Sequence, residues 1–299
     1  MKAFRGITAL IFVLASSPTP LRAQDQKPAN LAAAPPNIAF LEHREIFPGK
    51  SADHKKLLTA LSHASYRWDS QRFWIELESL TGNPEEIIFT PYDSYEQIEQ
   101  SNTEWNQFAG THPEVERESE DIEGQLGNQR RVTAVRRDDL GYLVENIDFS
   151  EMRFASILEV RLFPGHEGDF AEAFQILADA YTKIHSDAPW VIYEVDAGTT
   201  APTFLVIRPM PELKQNDDIL SLRGNLADAE GEQSVETLKR IARESFVSTE
   251  SNIYSVNPEM SHVSKAFAAT DPNYWLRRAG QEKESGSETK PGAKAAPTP

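Results

Sequence analysis

No cysteine occurs among the 299 residues. A disulfide framework and a cysteine-borne lipid anchor are therefore both excluded. Nucleotide and nucleophile motifs are missing too: there is no P-loop, no dinucleotide glycine motif and no Gly-x-Ser-x-Gly elbow. The histidines (His43, His54, His63, His112, His166, His185 and His262) form no His-x-His and no i, i+4 pair. A metal site needs three or four converging ligands, and the sequence signals neither a metal nor any cofactor. Positive charge is scarce, with 30 Lys and Arg against 46 Asp and Glu, a formal charge of −16. Such a surface repels phosphate backbones and anionic lipid, which argues against nucleic acid and membrane as partners.

Long apolar runs are also lacking. The longest, residues 7–15 (ITALIFVLA), follows Lys2 and Arg5 and is far short of the roughly 20 residues that span a bilayer. Small residues and prolines lead on to Leu21, Arg22 and Ala23. The pattern predicts a signal peptide over 1–23 and an exported protein, periplasmic or secreted, with no membrane insertion after cleavage. A buried N-terminal strand or helix is the other reading of the same run. Cleavage would remove Lys2, Arg5 and Arg22 and take the formal charge from −16 to −19.

Hydrophobic residues make up 39% of the chain, enough for a substantial core. Residues 24–36 (QDQKPANLAAAPP) read as a linker. Residues 276–299 read as a tail, because the polar stretch from Gln281 onward has no apolar periodicity with which to order itself. Between them lies a repeat at an offset of 116. Phe47-Pro48-Gly49 recurs as Phe163-Pro164-Gly165, and Asp53, Trp74, Glu78 and Gly82 recur as Asp169, Trp190, Glu194 and Gly198. Residues 38–82 contain 11 ungapped identities with 154–198, where ordinary composition gives roughly three.

The two copies share a pattern as well as identities. Strands are predicted at 38–47 and 154–163, each leading through Pro-Gly into a helix. The helical stripe is Phe170, Ala173, Phe174, Leu177, Ala180 and Ile184 in the second copy. In the first copy it is Leu57, Leu58, Leu61, Ala64 and Trp68. Asp53 and Asp169 fall at the cap or in the first turn, where a carboxylate meets free N–H groups. A hairpin follows in each copy, 74–78 with 86–90 and 190–194 with 203–207, closed by Pro91 and Pro209. A second helix lies somewhere within 103–126, and its counterpart carries Val235, Leu238, Ile241, Ala242 and Phe246 on one stripe. Last strands at 131–136 and 252–256 complete a β-α-β-β-α-β order twice, the split unit of ferredoxin-like folds. The expected class is α+β, with repeats over 37–150 and 151–275.

On these residues the chain resembles the dimeric α/β-barrel superfamily, with NIPSNAP-like features. The first strand and turn (Glu159-Val160-Arg161-Leu162-Phe163-Pro164-Gly165), the following helix and the Trp-plus-hairpin segment support the resemblance. So does the closing stretch, which runs from Pro258-Glu259-Met260-Ser261-His262-Val263 to Asp271-Pro272-Asn273-Tyr274-Trp275. It implies two tandem ferredoxin-like units pairing sheet to sheet into one intramolecular barrel, a monomeric pseudo-dimer. Each open sheet would then cover the other, with a high effective concentration because they are linked. It also implies either a protein that binds small molecules or serves as a scaffold or, alternatively, a haem-degrading or cofactor-free monooxygenase. Fold alone does not choose between these.

The candidate ligand-binding residues are Glu42, His43, Arg44, Trp74, Glu78, Glu159, Arg161, Trp190 and Glu194. Trp74 and Trp190 are expected to fill the sheet core, with a pocket wall as the alternative. Glu78 and Glu194 share a strand face with them, and either pair with an arginine, lie at an exposed edge, or act as a base or a ligand-orienting group. Strand alternation puts His43 and Glu45 on one face and Glu42 and Arg44 on the other. In the second copy the face corresponding to Glu42 and Arg44 is apolar (Leu158, Val160), while Glu159 and Arg161 share the polar face with His43 and Glu45. Glu42 and Arg44 therefore either pair with each other or border a cavity that only the first copy has. The acidic run 114–123 reads as a solvated helix face, with calcium binding as the weaker alternative.

Overall fold

Each Phe-Pro-Gly turn reverses the chain through a glycine with positive φ, +80° at Gly49 and +90° at Gly165, a conformation that costs a glycine little. A strand enters each turn and a helix leaves it. The structure, a computed structural model, describes residues 33–217 and 226–276. The first half comprises β1 (Ile38–Ile46), α1 (Ser51–Arg67), β2 (Ile75–Ser79), β3 (Glu85–Tyr92), α2 (Tyr95–Thr111), α3 (Pro113–Glu123) and β4 (Leu126–Arg136). The second comprises β5 (Phe154–Leu162), α4 (Glu167–Lys183), β6 (Val191–Ala197), β7 (Thr203–Met210), α5 (Glu232–Ser245) and β8 (Phe246–Val256). Two one-turn helices close the described chain, α6 (Lys265–Ala268) and α7 (Pro272–Trp275).

The eight strands form one closed barrel in the order β1-β3-β2-β8-β5-β7-β6-β4, and every pairing is antiparallel. This is a mixed α+β fold with a closed eight-stranded barrel, as the resemblance implied. Closure joins the edges of the two halves by hydrogen-bonded ladders. Leu77 pairs with Val256 at one seam, and Ala134 with Val195 at the other. Among the described strands, closure leaves no edge open to recruit another chain. Close approach at the second seam explains Gly198: a Cβ there would lie 1.9 Å from the carbonyl oxygen of Arg131.

Period-2 alternation sorts the side chains into three cores. Inward-facing residues such as Leu41, Ile87, Val132, Ile157, Tyr193 and Leu205 fill the barrel. Outward-facing residues meet helices. In the second half Val160, Phe170, Phe174, Trp190, Ile192 and Phe204 form that layer; in the first, Leu58, Leu61, Trp74, Ile88, Val115 and Ile122 do. The segment after each half crosses to the other. Tyr142 bridges to Trp190 and His262 to Trp74, and each indole N–H donates to a crossing carbonyl, Leu140 and Met260 respectively.

Several local expectations change. The helix sought within 103–126 is two helices, because Pro113 starts a new one where it lacks an N–H to donate. Strands β3 and β7 run through Pro91 and Pro209 instead of ending at them. Phe246 starts β8 and is not on the α5 stripe. Trp68 follows α1 and is 47% exposed; the buried face of α1 includes the polar His54, Ser62 and Ser65, which no apolar pattern could show. Asp53 and Asp169 sit in the first turns, and neither α1 nor α4 has a side-chain cap. Within 114–123, Val115 and Ile122 are buried and the acidic residues flank them. The end of the expected linker packs on the barrel, where the Pro36 carbonyl accepts a hydrogen bond from the Tyr193 hydroxyl. The expected signal peptide, the linker up to residue 32 and the tail from 277 lie outside the described residues.

Candidate functional site

Strand register places the two halves side by side, residue for residue. Glu42 faces Ile88 across β1 and β3, and Glu76 faces Ile88 across β2 and β3. Leu158 and Ile192 both face Val206 in the same way. Glu42 thus corresponds to Leu158 and Glu76 to Ile192. One step along, Arg44 and Glu86 correspond to Val160 and Phe204. His54 and Phe170 are each the fourth residue of their helix. Five positions that are apolar in the second half are therefore ionisable in the first.

In the second half these positions are filled: Phe170 stacks on Phe204 with centroids 4.2 Å apart. In the first, His54 Nε2 lies 2.8 Å from Glu86 Oε2. Arg44 donates to Glu42 Oε2 at 3.0 Å and reaches Glu86 Oε1 at 3.5 Å. Glu42 is further approached by Arg131 at 3.2 Å and Arg72 at 3.8 Å. Burial opposes ionisation of Glu42, but Arg44, Arg131 and Arg72 hold its carboxyl below the usual range. Burial also works against the charge on Arg44, yet Glu42 and Glu86 raise its affinity for the proton. Glu76 is fully buried, and no donor reaches either of its carboxylate oxygens. Burial first, then the neighbouring Glu86 and Glu78 carboxylates, push its pKa well above the ordinary value, so it holds its proton.

In front of this cluster lies a cavity of about 150 Å³ between sheet and helices. Glu42, Arg44, Arg72 and Arg131 supply much of its polar wall, with Ser119, Glu123 and Gln129 completing it. Leu58, Leu61, Trp74, Ile88 and Trp105 are among its apolar lining. Trp105 stands edge-on to Trp74 at 6.3 Å, and the Arg72 guanidinium lies over the Trp105 ring at 5.0 Å. Behind Trp74, His262 is packed against the indole and against Tyr66. Burial lowers the His262 pKa to about 4, so the ring stays neutral.

Of the residues singled out in the sequence, Glu42, Arg44 and Trp74 meet in this cavity. His43 and Glu159 do not; they line a separate polar cup of about 250 Å³ at one mouth of the barrel, with Glu45, Glu85, Arg130 and Glu250. The face they share is thus the rim of the barrel interior. Its charges are largely paired, with Arg130 gripping Glu159 through two bonds of 2.9 and 2.7 Å. Arg161 lines neither cavity. Trp190 is core, packed against Tyr142, Phe174 and Tyr181. Glu194 pairs with Arg137 at 2.7 Å, and Glu78 accepts from Asn257 at 2.8 Å. His54, Arg72, Glu76, Glu86, Trp105 and Arg131 were not anticipated. Four contrasts at the fixed offset would have pointed the way: Glu42 with Leu158, Arg44 with Val160, His54 with Phe170 and Glu76 with Ile192. Among the described residues no three His, Asp or Glu converge as metal ligands, and no helix is long and apolar enough to cross a membrane.

No family model matches the chain, and no curated protein does. Solved structures do. An anthrone oxidase-like protein aligns over 76% of this chain and 93% of its own, with 10% identity and a TM-score of 0.49. A haem-binding protein from Thermus thermophilus aligns over 74% and 91%, with 10% identity and a TM-score of 0.42. A mutant chlorite dismutase from Candidatus Nitrospira defluvii aligns over 74% and 92%, with 9% identity and a TM-score of 0.42. At this level of likeness neither a family nor an activity passes to this chain.

Proposed function

We propose that this chain is a small-molecule-binding protein whose ligand occupies the helix–sheet cavity of its first half. The observation behind the proposal is the contrast between the halves. The positions that the second half fills with Phe170, Phe204, Leu158, Val160 and Ile192 carry ionisable side chains in the first, and a cavity opens beside them. Burying ionisable groups costs stability unless they are paired. A duplicated ferredoxin-like unit, one copy kept for packing and the other opened for a ligand, accounts for both. Export through the segment at 1–23 would place that binding activity outside the cytoplasm.

A haem does not suit this cavity. Pockets for drug-sized ligands run to about 300–1,000 Å³, well above the 150 Å³ here. The one buried histidine of the charged cluster, His54, is committed through Nε2 to Glu86 and does not line the space. Cofactor-free oxygenation would use the same cavity, and dissolved oxygen followed in the presence of a bound ligand separates it from simple binding.

A thermal-shift screen of small molecules tests the proposal, run in parallel on the Leu61→Trp variant, whose larger side chain fills the space. A ligand at 100 times its Kd adds about 2.7 kcal/mol. Hits are expected to raise the Tm of the original protein and to lose their effect in the filled variant. A screen without hits, or hits indifferent to Leu61→Trp, would overturn the assignment.

A further inference from the structure

We infer that the ligand of this cavity is a small organic monoanion, a benzoate-sized carboxylate whose charged end docks on Arg72 and Arg131. This deepens the binding function proposed above and rests on it.

Arg72 is the first reason. Its side chain is 20% exposed, and among the described residues no other side chain accepts a hydrogen bond from it. The nearest carboxylate oxygen, on Glu42, is 3.8 Å away. A guanidinium offers five donors in a planar fork suited to a carboxylate. Here that fork is held over Trp105 and faces the cavity with its donors uncommitted.

The local charge balance is the second reason. Three guanidiniums converge on the single carboxylate of Glu42. Glu86, behind, is engaged by Arg44 and His54. Glu76, kept protonated by its burial, adds no negative charge. The residues lining the cavity set Arg44, Arg72 and Arg131 against the carboxylates of Glu42 and Glu123, one positive group in excess, in a chain whose formal total is −16. One added carboxylate balances that wall. A polyanion would meet the repulsion of the whole protein.

Shape is the third reason. The apolar wall offers the Trp74 and Trp105 rings with Leu58, Leu61 and Ile88 around them. An apolar cavity of about 150 Å³ in another protein takes up benzene, so a single ring is the size this space accepts. The Arg131 side chain, 59% exposed, stands where the cavity meets solvent and can close over the charged end.

Isothermal titration with benzoate, benzamide and benzamidine, which share one shape and differ in charge, tests the inference. Benzoate should bind at one site per chain, at least tenfold tighter than benzamide, and benzamidine should not bind. A hydrogen bond to a charged group is worth about tenfold or more in affinity. Arg72→Gln should abolish the preference for carboxylate over amide. Arg131→Gln, at a solvent-facing position that folding tolerates, should reduce it. Benzamide or benzamidine binding as tightly as benzoate would overturn the inference and leave the binding function intact. So would a screen in which neutral compounds bind, lose affinity in Leu61→Trp, and anions do not. A screen in which no compound of any charge is sensitive to Leu61→Trp removes the binding function itself.

Discussion

Replacing Glu76 by Gln should stabilise this protein, and by more as the pH rises. Glu76 is 0% exposed on β2 and has no donor at its carboxylate. Burial, Glu86 and Glu78 raise its pKa well above 4.5. In the unfolded chain the group loses its proton near 4.5, while in the native state it keeps it. Stability from this group is therefore complete below about pH 4.5 and declines as pH rises toward the native pKa. The slope is about 1.4 kcal/mol per pH unit. Glutamine mimics the protonated acid and can donate to Glu86, but cannot ionise. The variant and the original should match near pH 4.5 and diverge above it, by at most about 3 kcal/mol two pH units higher. Urea unfolding followed by tryptophan fluorescence at pH 5, 6, 7 and 8 measures the difference, and other titrating groups cancel because both proteins share them. A difference that does not grow with pH, or a variant weaker throughout, would refute the reasoning.

His262 predicts the opposite slope. Its pKa of about 4 in the native state lies below the usual 6.5, so between these values the unfolded chain takes up a proton that the native state refuses. Stability should fall by about 3 kcal/mol as pH drops from 6.5 to 4, and His262→Tyr, the residue type at the corresponding Tyr142, should flatten that fall in a Tm-against-pH series. Glu86→Phe alone should cost about 3–5 kcal/mol, because it strips partners from buried His54 and Arg44. Adding His54→Phe, which recreates the Phe170–Phe204 pair, should recover part of that loss in a denaturant double-mutant cycle; full additivity would contradict the buried pair. Trp190→Ala should cost about 3–5 kcal/mol without weakening ligand binding in a titration, whereas Trp74→Ala should weaken both.

The path of the chain was legible because its signals are local. Phe47-Pro48-Gly49 and Phe163-Pro164-Gly165 mark strand-to-helix turns, and the alternation in 38–47 and 154–163 marks half-buried strands. The site was legible only where it interrupts that alternation. Glu42 and Arg44 stand out because Leu158 and Val160 show what a packed outer face requires. His54 was hidden by its own helix, since a lone buried histidine leaves no periodic trace. Arg72 and Trp105 are distant in sequence, and only the packing of α2 over the sheet brings them together. His43 and Glu159 were drawn toward the site by their charge, but register turns them into the mouth of the barrel, where Arg130 satisfies Glu159. Local pattern specifies which face a residue takes; it does not specify which end of a closed barrel that face reaches.

A crystal structure of the protein grown with benzoate would test the central claim most directly. The account predicts one molecule, in the first half, with its ring beside Trp74 and Trp105 and its carboxylate on Arg72, and none between Phe170 and Phe204. Benzoate seated in the polar cup at the barrel mouth, or equally in both halves, would contradict it.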